Sequence, residues 1–198
     1  MLLKPLKDLT IASSNPGKVS EFIHYLKDLP INISTLEGKK LEPPIEDGED
    51  FESNSLIKAE FYSKSLNTSV LSDDSGLCIE SLDGKPGINT AAHSKDSNKY
   101  DNILNAMQKR VERGRKAKFI CVLCFLQQDN IPLFFEGECR GLIADKPKGE
   151  LGFGFDAIFI PDGSEKTFAE MTKDEKIKYS ARGNALRNFR DYITNNVL

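Results

Sequence analysis

The sequence predicts an α/β protein of mixed α+β type, and three features carry that prediction. Short apolar runs of strand length alternate with segments whose apolar residues recur at helical spacing. Two longer apolar runs, Lys118 to Gln127 and Ile131 to Leu142, flank Asp129-Asn130 as the arms of a hairpin would. Turn-forming clusters such as Asn15-Pro16-Gly17 and Asp83-Gly84-Lys85-Pro86-Gly87 punctuate the order of elements.

Taken from the start, Leu9 to Ser13 reads as a first strand, and Asn15-Pro16-Gly17 as the turn after it. Val19, Phe22, Ile23 and Leu26 lie on one face of a helix over Lys18 to Lys27. Ile31 to Leu36 alternates apolar and polar residues as a short strand does. An acidic loop follows, Glu42 to Asp50, with two prolines, and Asp50 is placed to cap a helix running to Leu66. Val70 to Ser72 and Leu77 to Leu82 are predicted as two strands separated by Asp73-Asp74-Ser75-Gly76. Tyr100, Ile103, Leu104, Met107 and Val111 mark another helix, and the hairpin comes next. Beyond a glycine- and phenylalanine-rich segment lie a strand over Ala157 to Ile160 and a last helix from Ser180 to Asn195. No composition shift divides the chain, so residues 1–198 are expected to form a single domain.

Composition narrows the function classes. The 27 Lys and Arg against 30 Asp and Glu give a net charge of −3, which argues against a protein that grips a nucleic-acid backbone. An anionic ligand would have to be held by local groups. No apolar run approaches the roughly 20 residues that span a bilayer, and the opening MLLKPLKDLT lacks the pattern of a secretory signal. Cys78, Cys121, Cys124 and Cys139 sit in apolar stretches, as free thiols in a reducing cytoplasm would. Cys121 and Cys124 form a CxxC, but inside a predicted strand residues three apart face opposite ways. Neither His24 nor His93 stands at a zinc spacing from them.

Five groups carry chemistry, each open to a plainer reading. Ser13-Ser14-Asn15-Pro16-Gly17-Lys18 joins a strand to a helix start, where backbone N–H groups suit phosphate, yet an ordinary turn would look the same. Asp73-Asp74-Ser75-Gly76 offers adjacent carboxylates for a divalent cation, or a solvated turn. Glu46 is a third carboxylate, with Asp47, Glu49 and Asp50 as competitors within a charged loop. Gly152-Phe153-Gly154-Phe155-Asp156 could lay aromatics against a base, or be a kinked core segment. Lys176 and Arg182 add cations; Arg182 lies near a helix start where the dipole disfavours it, which a bound anion would explain and a solvent-facing arginine would too.

In this order the motifs resemble the inosine triphosphate pyrophosphatase family, over Ile11 to Phe189. Residues 13–18 are similar to its [TS]xNxxK loop, and Phe51, Asn54, Lys58 and Ala59 to its FxENAxxKA helix, with Ser53 where Glu is usual. Asp73 to Leu77 matches DDSGL, Leu82 to Pro86-Gly87 resembles LxGxPG, Gly152 to Asp156 matches GFGYD with Phe for Tyr, and Ser180 to Gly183 resembles SHRG.

The resemblance implies an elongated mixed sheet with flanking helices, two lobes around a central cleft, and a homodimer. It implies a Mg²⁺-dependent enzyme that cleaves ITP, dITP and XTP to the monophosphate and pyrophosphate. Asp74 would be the catalytic residue that activates the attacking water, with Glu46 and Asp74 on the metal. The substrate would be held by Ser13, Ser14, Asn15, Pro16, Gly17, Lys18, Lys58, Ser75, Phe153, Gly154, Phe155, Asp156, Lys176, Ala181 and Arg182.

Two departures touch base selectivity. Ala181 stands where the family has the histidine of SHR, and Thr90-Ala91-Ala92 where it carries a cation, with His93 or Lys95 as substitutes. Two alternatives therefore stand beside the main reading: a pyrophosphatase of different or relaxed base specificity, and a nucleotide-binding module without turnover.

Overall fold

A computed structural model describes residues 5–127 and 130–198. It contains one six-stranded mixed sheet in the order β2-β1-β3-β4-β5-β6. The strands are β1 (Asp8–Ala12), β2 (Asn32–Ser34), β3 (Val70–Ile79), β4 (Lys116–Leu126), β5 (Leu133–Ile143) and β6 (Phe159–Pro161). The helices are α1 (Pro16–Leu26), α2 (Phe51–Leu66), α3 (Thr90–His93), α4 (Lys99–Gln108), α5 (Lys173–Tyr179) and α6 (Ala181–Asn196). β1 pairs in parallel with both β2 and β3, whereas β5 and β6 are antiparallel, so the expectation of a mixed sheet holds.

The chain forms two compact units. The first comprises Met1–Asp74, Val122–Glu136 and Ala185–Leu198; the second, Ser75–Cys121 and Gly137–Asn184. The chain passes from one to the other inside β3, β4, β5 and α6. The first unit buries Leu9, Ile11, Phe22, Leu71, Leu123, Phe125 and Phe189, and Phe125 and the half-buried Phe135 pack on Phe189 at centroid distances of 5.5 Å. The second is built on Phe119, Phe159 and Phe168, whose rings lie 4.8 to 6.1 Å apart, with Leu77 and Ile79 fully buried. Tilted and edge-on contacts at these distances are the favoured aromatic arrangements.

Several elements differ from their predicted bounds. Residues 70–79 form one strand rather than two, because Asp73 and Asp74 are 2% and 6% exposed and continue the ladder instead of breaking it. Buried carboxylates survive there only with partners, which the first unit supplies. Helix α1 begins at Pro16, not Lys18: Pro fits the first helical position, where no N–H is needed, and Asn15 caps it. The second strand shrinks to Asn32–Ser34. Helix α5 is absent from the sequence reading. It is seven residues long, too short to show periodicity, but Thr172 and Glu175 form a capping box that signals its start. Part of the predicted hairpin turn, Asp129, lies outside the described residues. Asp50 caps α2 as predicted, with Ser53 completing the box. Cys121, Cys124 and Cys139 are buried and free, and Cys78 is half-buried.

Candidate functional site

In the first unit the geometry follows from parallel pairing. β1 ends at Ala12, in register with Ser72 of β3. The next residues are therefore Ser13, which opens the loop into α1, and Asp73. Only β1 ends here, since β3 runs on to Ile79; the carboxyl end of a parallel strand is where open α/β sheets place their ligands.

Strand alternation then separates the two aspartates. Asp73 points to one face, and Lys18 Nζ from the first turn of α1 lies 2.9 Å from its Oδ2. Ser72 and Asp74 point to the other, toward α2. Ser72 Oγ donates to the carbonyl of Ser55 at 2.6 Å, a buried bond that ties strand to helix. Asp74 meets two α2 residues one turn apart, Asn54 and Lys58. Asn54 Nδ2 donates to Asp74 Oδ2 at 3.3 Å, and Lys58 Nζ lies 3.6 Å from Asp74 Oδ1. Lys58 Nζ also donates to Glu46 Oε2. One ammonium thus bridges the carboxylates of Asp74 and Glu46.

The protonation balance reflects this crowding. Burial pushes the Asp74 carboxyl above its ordinary value, against the pull of Lys58 and Lys18. Burial works to lower Lys58, but the carboxylates of Asp74, Asp73 and Glu46 outweigh it and hold the ammonium above the usual lysine range. Four acids competed for the third carboxylate on sequence alone. Glu46 is the one paired with Lys58, while Asp50 accepts from the Ser53 backbone at 2.7 Å as a helix cap. All four are exposed, so pairing and not burial separates them.

Among the described residues no group of three or more His, Cys, Asp or Glu side chains assembles as a metal cage. The donor set nonetheless suits Mg²⁺, which usually takes one or two carboxylates and completes its shell with water and phosphate. Asp74 and Glu46 already share one cation, the Lys58 ammonium.

The loop before α1 departs from the simple picture of an open helix end. Asn15 Oδ1 accepts from the N–H groups of Gly17 and Lys18 at 3.0 and 3.3 Å. Asn15 N donates to Ser13 Oγ at 3.3 Å. Two of the expected phosphate donors are therefore occupied by the cap. Lys18 supplies the charge at this end, and Ser14 and Pro16 are exposed.

The second unit brings together Ser75, Phe153, Asp156, Lys176 and Arg182. Lys176 Nζ donates to Asp156 Oδ2 at 2.6 Å and stands 4.6 Å from the centroid of the Phe153 ring. Arg182 Cζ is 6.0 Å from the same centroid, and Arg182 Nη2 donates to Ser75 Oγ at 2.8 Å. Cations this close to an aromatic ring are attracted to it. Asp156 Oδ2 accepts in addition from the Phe153 N–H at 2.9 Å. A Cβ on Gly152, at φ +77°, would sit 2.1 Å from that oxygen, so only glycine fits.

Phe155 corrects the expectation of two aromatics facing a ligand. Its side chain is 1% exposed and lies 6.5 Å, edge-on, from Tyr100. It belongs to the core of this unit, and only its backbone remains for a ligand. Gly154 takes φ +63° between the two phenylalanines. Ala181, where a histidine was missing, is 4% exposed at the start of α6. Thr90 is structural: its hydroxyl donates to Gly87 O at 2.6 Å and accepts from Leu77 N at 2.9 Å. The Asn54 contact with Asp74 escaped the sequence reading. Its signal was a polar residue four before Lys58, on the same helix face.

A profile of the Ham1 family matches residues 9–192. The dITP/XTP pyrophosphatase of Oceanobacillus iheyensis is 39% identical over 187 residues, 91% of this chain and 95% of its own. That of Bacillus subtilis is 37% identical, covering 92% and 94%. Among solved structures, a HAM1 protein from Coxiella burnetii superposes with a TM-score of 0.86 at 31% identity, over 96% of this chain and all (100%) of that one. The Staphylococcus aureus Ham1 protein gives 0.82 at 32%, over 96% and 99%. With a match across nearly its whole length, a shared fold and the family's motifs in order, the chain belongs to the Ham1 family.

Proposed function

We propose that this protein hydrolyses non-canonical purine nucleoside triphosphates, dITP, ITP and XTP, to the monophosphate and pyrophosphate. The observation that carries the proposal is the pair of carboxylates, Asp74 and Glu46, drawn together on Lys58 beside a second lysine, Lys18. Relatives named dITP/XTP pyrophosphatase at 35–39% identity supply the reaction class.

Asp74 and Glu46 would hold Mg²⁺, which neutralises triphosphate charge and polarises the scissile phosphate when bound. Asp74 is the group placed to accept a proton from the attacking water, since burial raises the proton affinity of its carboxylate against the pull of Lys58 and Lys18. Lys18 and Lys58 supply positive charge for the phosphate chain. Phosphoryl transfer draws most of its rate from such positioning and charge stabilisation. In the second unit, Phe153 offers an aromatic face to a purine, and Lys176, Arg182 and Ser75 offer donors for its oxygens. Ala181 contributes no hydrogen bond, so the 6-oxo group is read by these cationic donors. The resemblance also carries a homodimer, which sedimentation of the purified chain tests.

A substrate panel tests the assignment. With Mg²⁺, pyrophosphate release from dITP, ITP and XTP should exceed that from ATP, GTP and dUTP. Equal rates across the panel favour the reading of relaxed specificity that Ala181 motivates. Nucleotide binding without turnover on any of them overturns the enzyme assignment.

A further inference from the structure

We propose that Asn54 is a positioning residue that locks the Asp74 carboxylate and the backbone of the Glu46 loop into one fixed relation. Asn54 is 4% exposed, and its amide makes two bonds in two directions. Oδ1 accepts from the N–H of Gly48 at 2.8 Å. Nδ2 donates to Asp74 Oδ2 at 3.3 Å. The reversed amide would set N–H against N–H and oxygen against carboxylate, so the two partners determine its orientation.

Gly48 lies two residues after Glu46, so the bond from its N–H pins the acidic loop close to the carboxylate it delivers. The fit there is tight. A Cβ on Gly48 would fall 2.4 Å from Ser53 Oγ and 2.7 Å from Asn54 Oδ1. The loop backbone rests directly on the start of α2, a closeness only glycine allows. Asn54 is itself anchored, its N–H donating to Asp50 O at 3.2 Å.

Two side chains on this face of α2 thus join Asp74 to the loop: Lys58 by charge and Asn54 by hydrogen bonds. They differ in stiffness. Lysine reaches through four rotatable bonds and does not fix the separation of its partners. The asparagine amide is short and planar, so the distance between its donor and acceptor is set by covalent geometry. A residue that bonds to a metal-binding carboxylate typically alters metal affinity or activity by about 10–100-fold when removed. If Lys58 turns to another partner, the two Asn54 bonds still join Asp74 to the loop backbone.

The inference rests on the metal reading of Asp74 and Glu46, and the experiment separates the two. Mn²⁺ is titrated by calorimetry into the full-length wild type, Asn54→Ala and Gly48→Ala, with no nucleotide present, and kcat and KM for dITP are measured beside it. Gly48→Ala attacks the same bond from the loop side and leaves Asn54 in place, so it decides the matter if Asn54→Ala does not fold. The expected result is a Kd for Mn²⁺ raised by about 10-fold or more in both variants, with kcat reduced and KM for dITP little changed. Variants that unfold at lower temperature but bind Mn²⁺ and turn over like wild type overturn the positioning role and leave Asn54 a structural residue. A wild type that binds no Mn²⁺ overturns the metal reading itself, and the inference with it.

Discussion

Lys18 Nζ and Asp73 Oδ2 form an ion pair of 2.9 Å in which the aspartate side chain is 1% exposed and the lysine 13%. A surface pair of this kind would contribute little. Here the carboxylate has left water, and removing its counter-charge leaves a buried anion. Lys18→Met is therefore expected to destabilise the fold by about 3 kcal/mol, read from urea unfolding. Adding Asp73→Asn removes the stranded charge and should return much of that loss. Turnover should not return, because the cation near the phosphates is still missing. A single variant as stable as wild type contradicts the pairing.

Glu46 and Asp50 are four residues apart in one acidic loop, but their surroundings assign them different work. Asp50 accepts from Ser53 N and Ser53 Oγ, and those bonds hold its carboxyl below the ordinary aspartate value. Asp50→Ala should lower Tm and leave kcat nearly unchanged. Glu46→Gln should do the reverse, reducing kcat with little effect on Tm. Thermal melts and steady-state kinetics on the two variants check the contrast.

Much of this was readable from residues. Strand and helix positions followed from periodicity, and Asp50 announced its cap by preceding an apolar helical run. The misjudged region is informative. Asp73-Asp74-Ser75-Gly76 has the composition of a turn, and its residues read as a break between two strands. What makes it a strand lies far off in the chain: Lys18, Asn54 and Lys58 satisfy the acids. Local composition cannot report partners that distant. Phe155 shows the same limit, since GFGFD gives no sign that one phenylalanine turns into the core while the other meets two cations. Composition gives no boundary between the two units, because the crossings fall inside strands and a helix where composition does not change; two lobes were implied by the resemblance alone.

Glu175 gives a pH signature. The Thr172 N–H, Lys166 and the Thr172 hydroxyl together lower its pKa from 4.5 to about 2. A carboxyl depressed in the folded state stabilises fully above its unfolded pKa, and the benefit is lost as pH falls through the folded one. The contribution of Glu175 should thus be intact above pH 4.5 and vanish toward pH 2. Urea midpoints of wild type and Glu175→Gln should differ at pH 6 and converge through this window. Equal midpoints at all pH values contradict the cap.

The central claim is that the Asp74 carboxylate directs water onto the innermost phosphorus of the triphosphate. It is tested most directly by turning over dITP with Mg²⁺ in water enriched in heavy oxygen, and locating the label by mass spectrometry. The account predicts label in the monophosphate, none in pyrophosphate, and loss of turnover in a folded Asp74→Asn variant. Label in the pyrophosphate, or an Asp74→Asn variant as active as wild type, would contradict it.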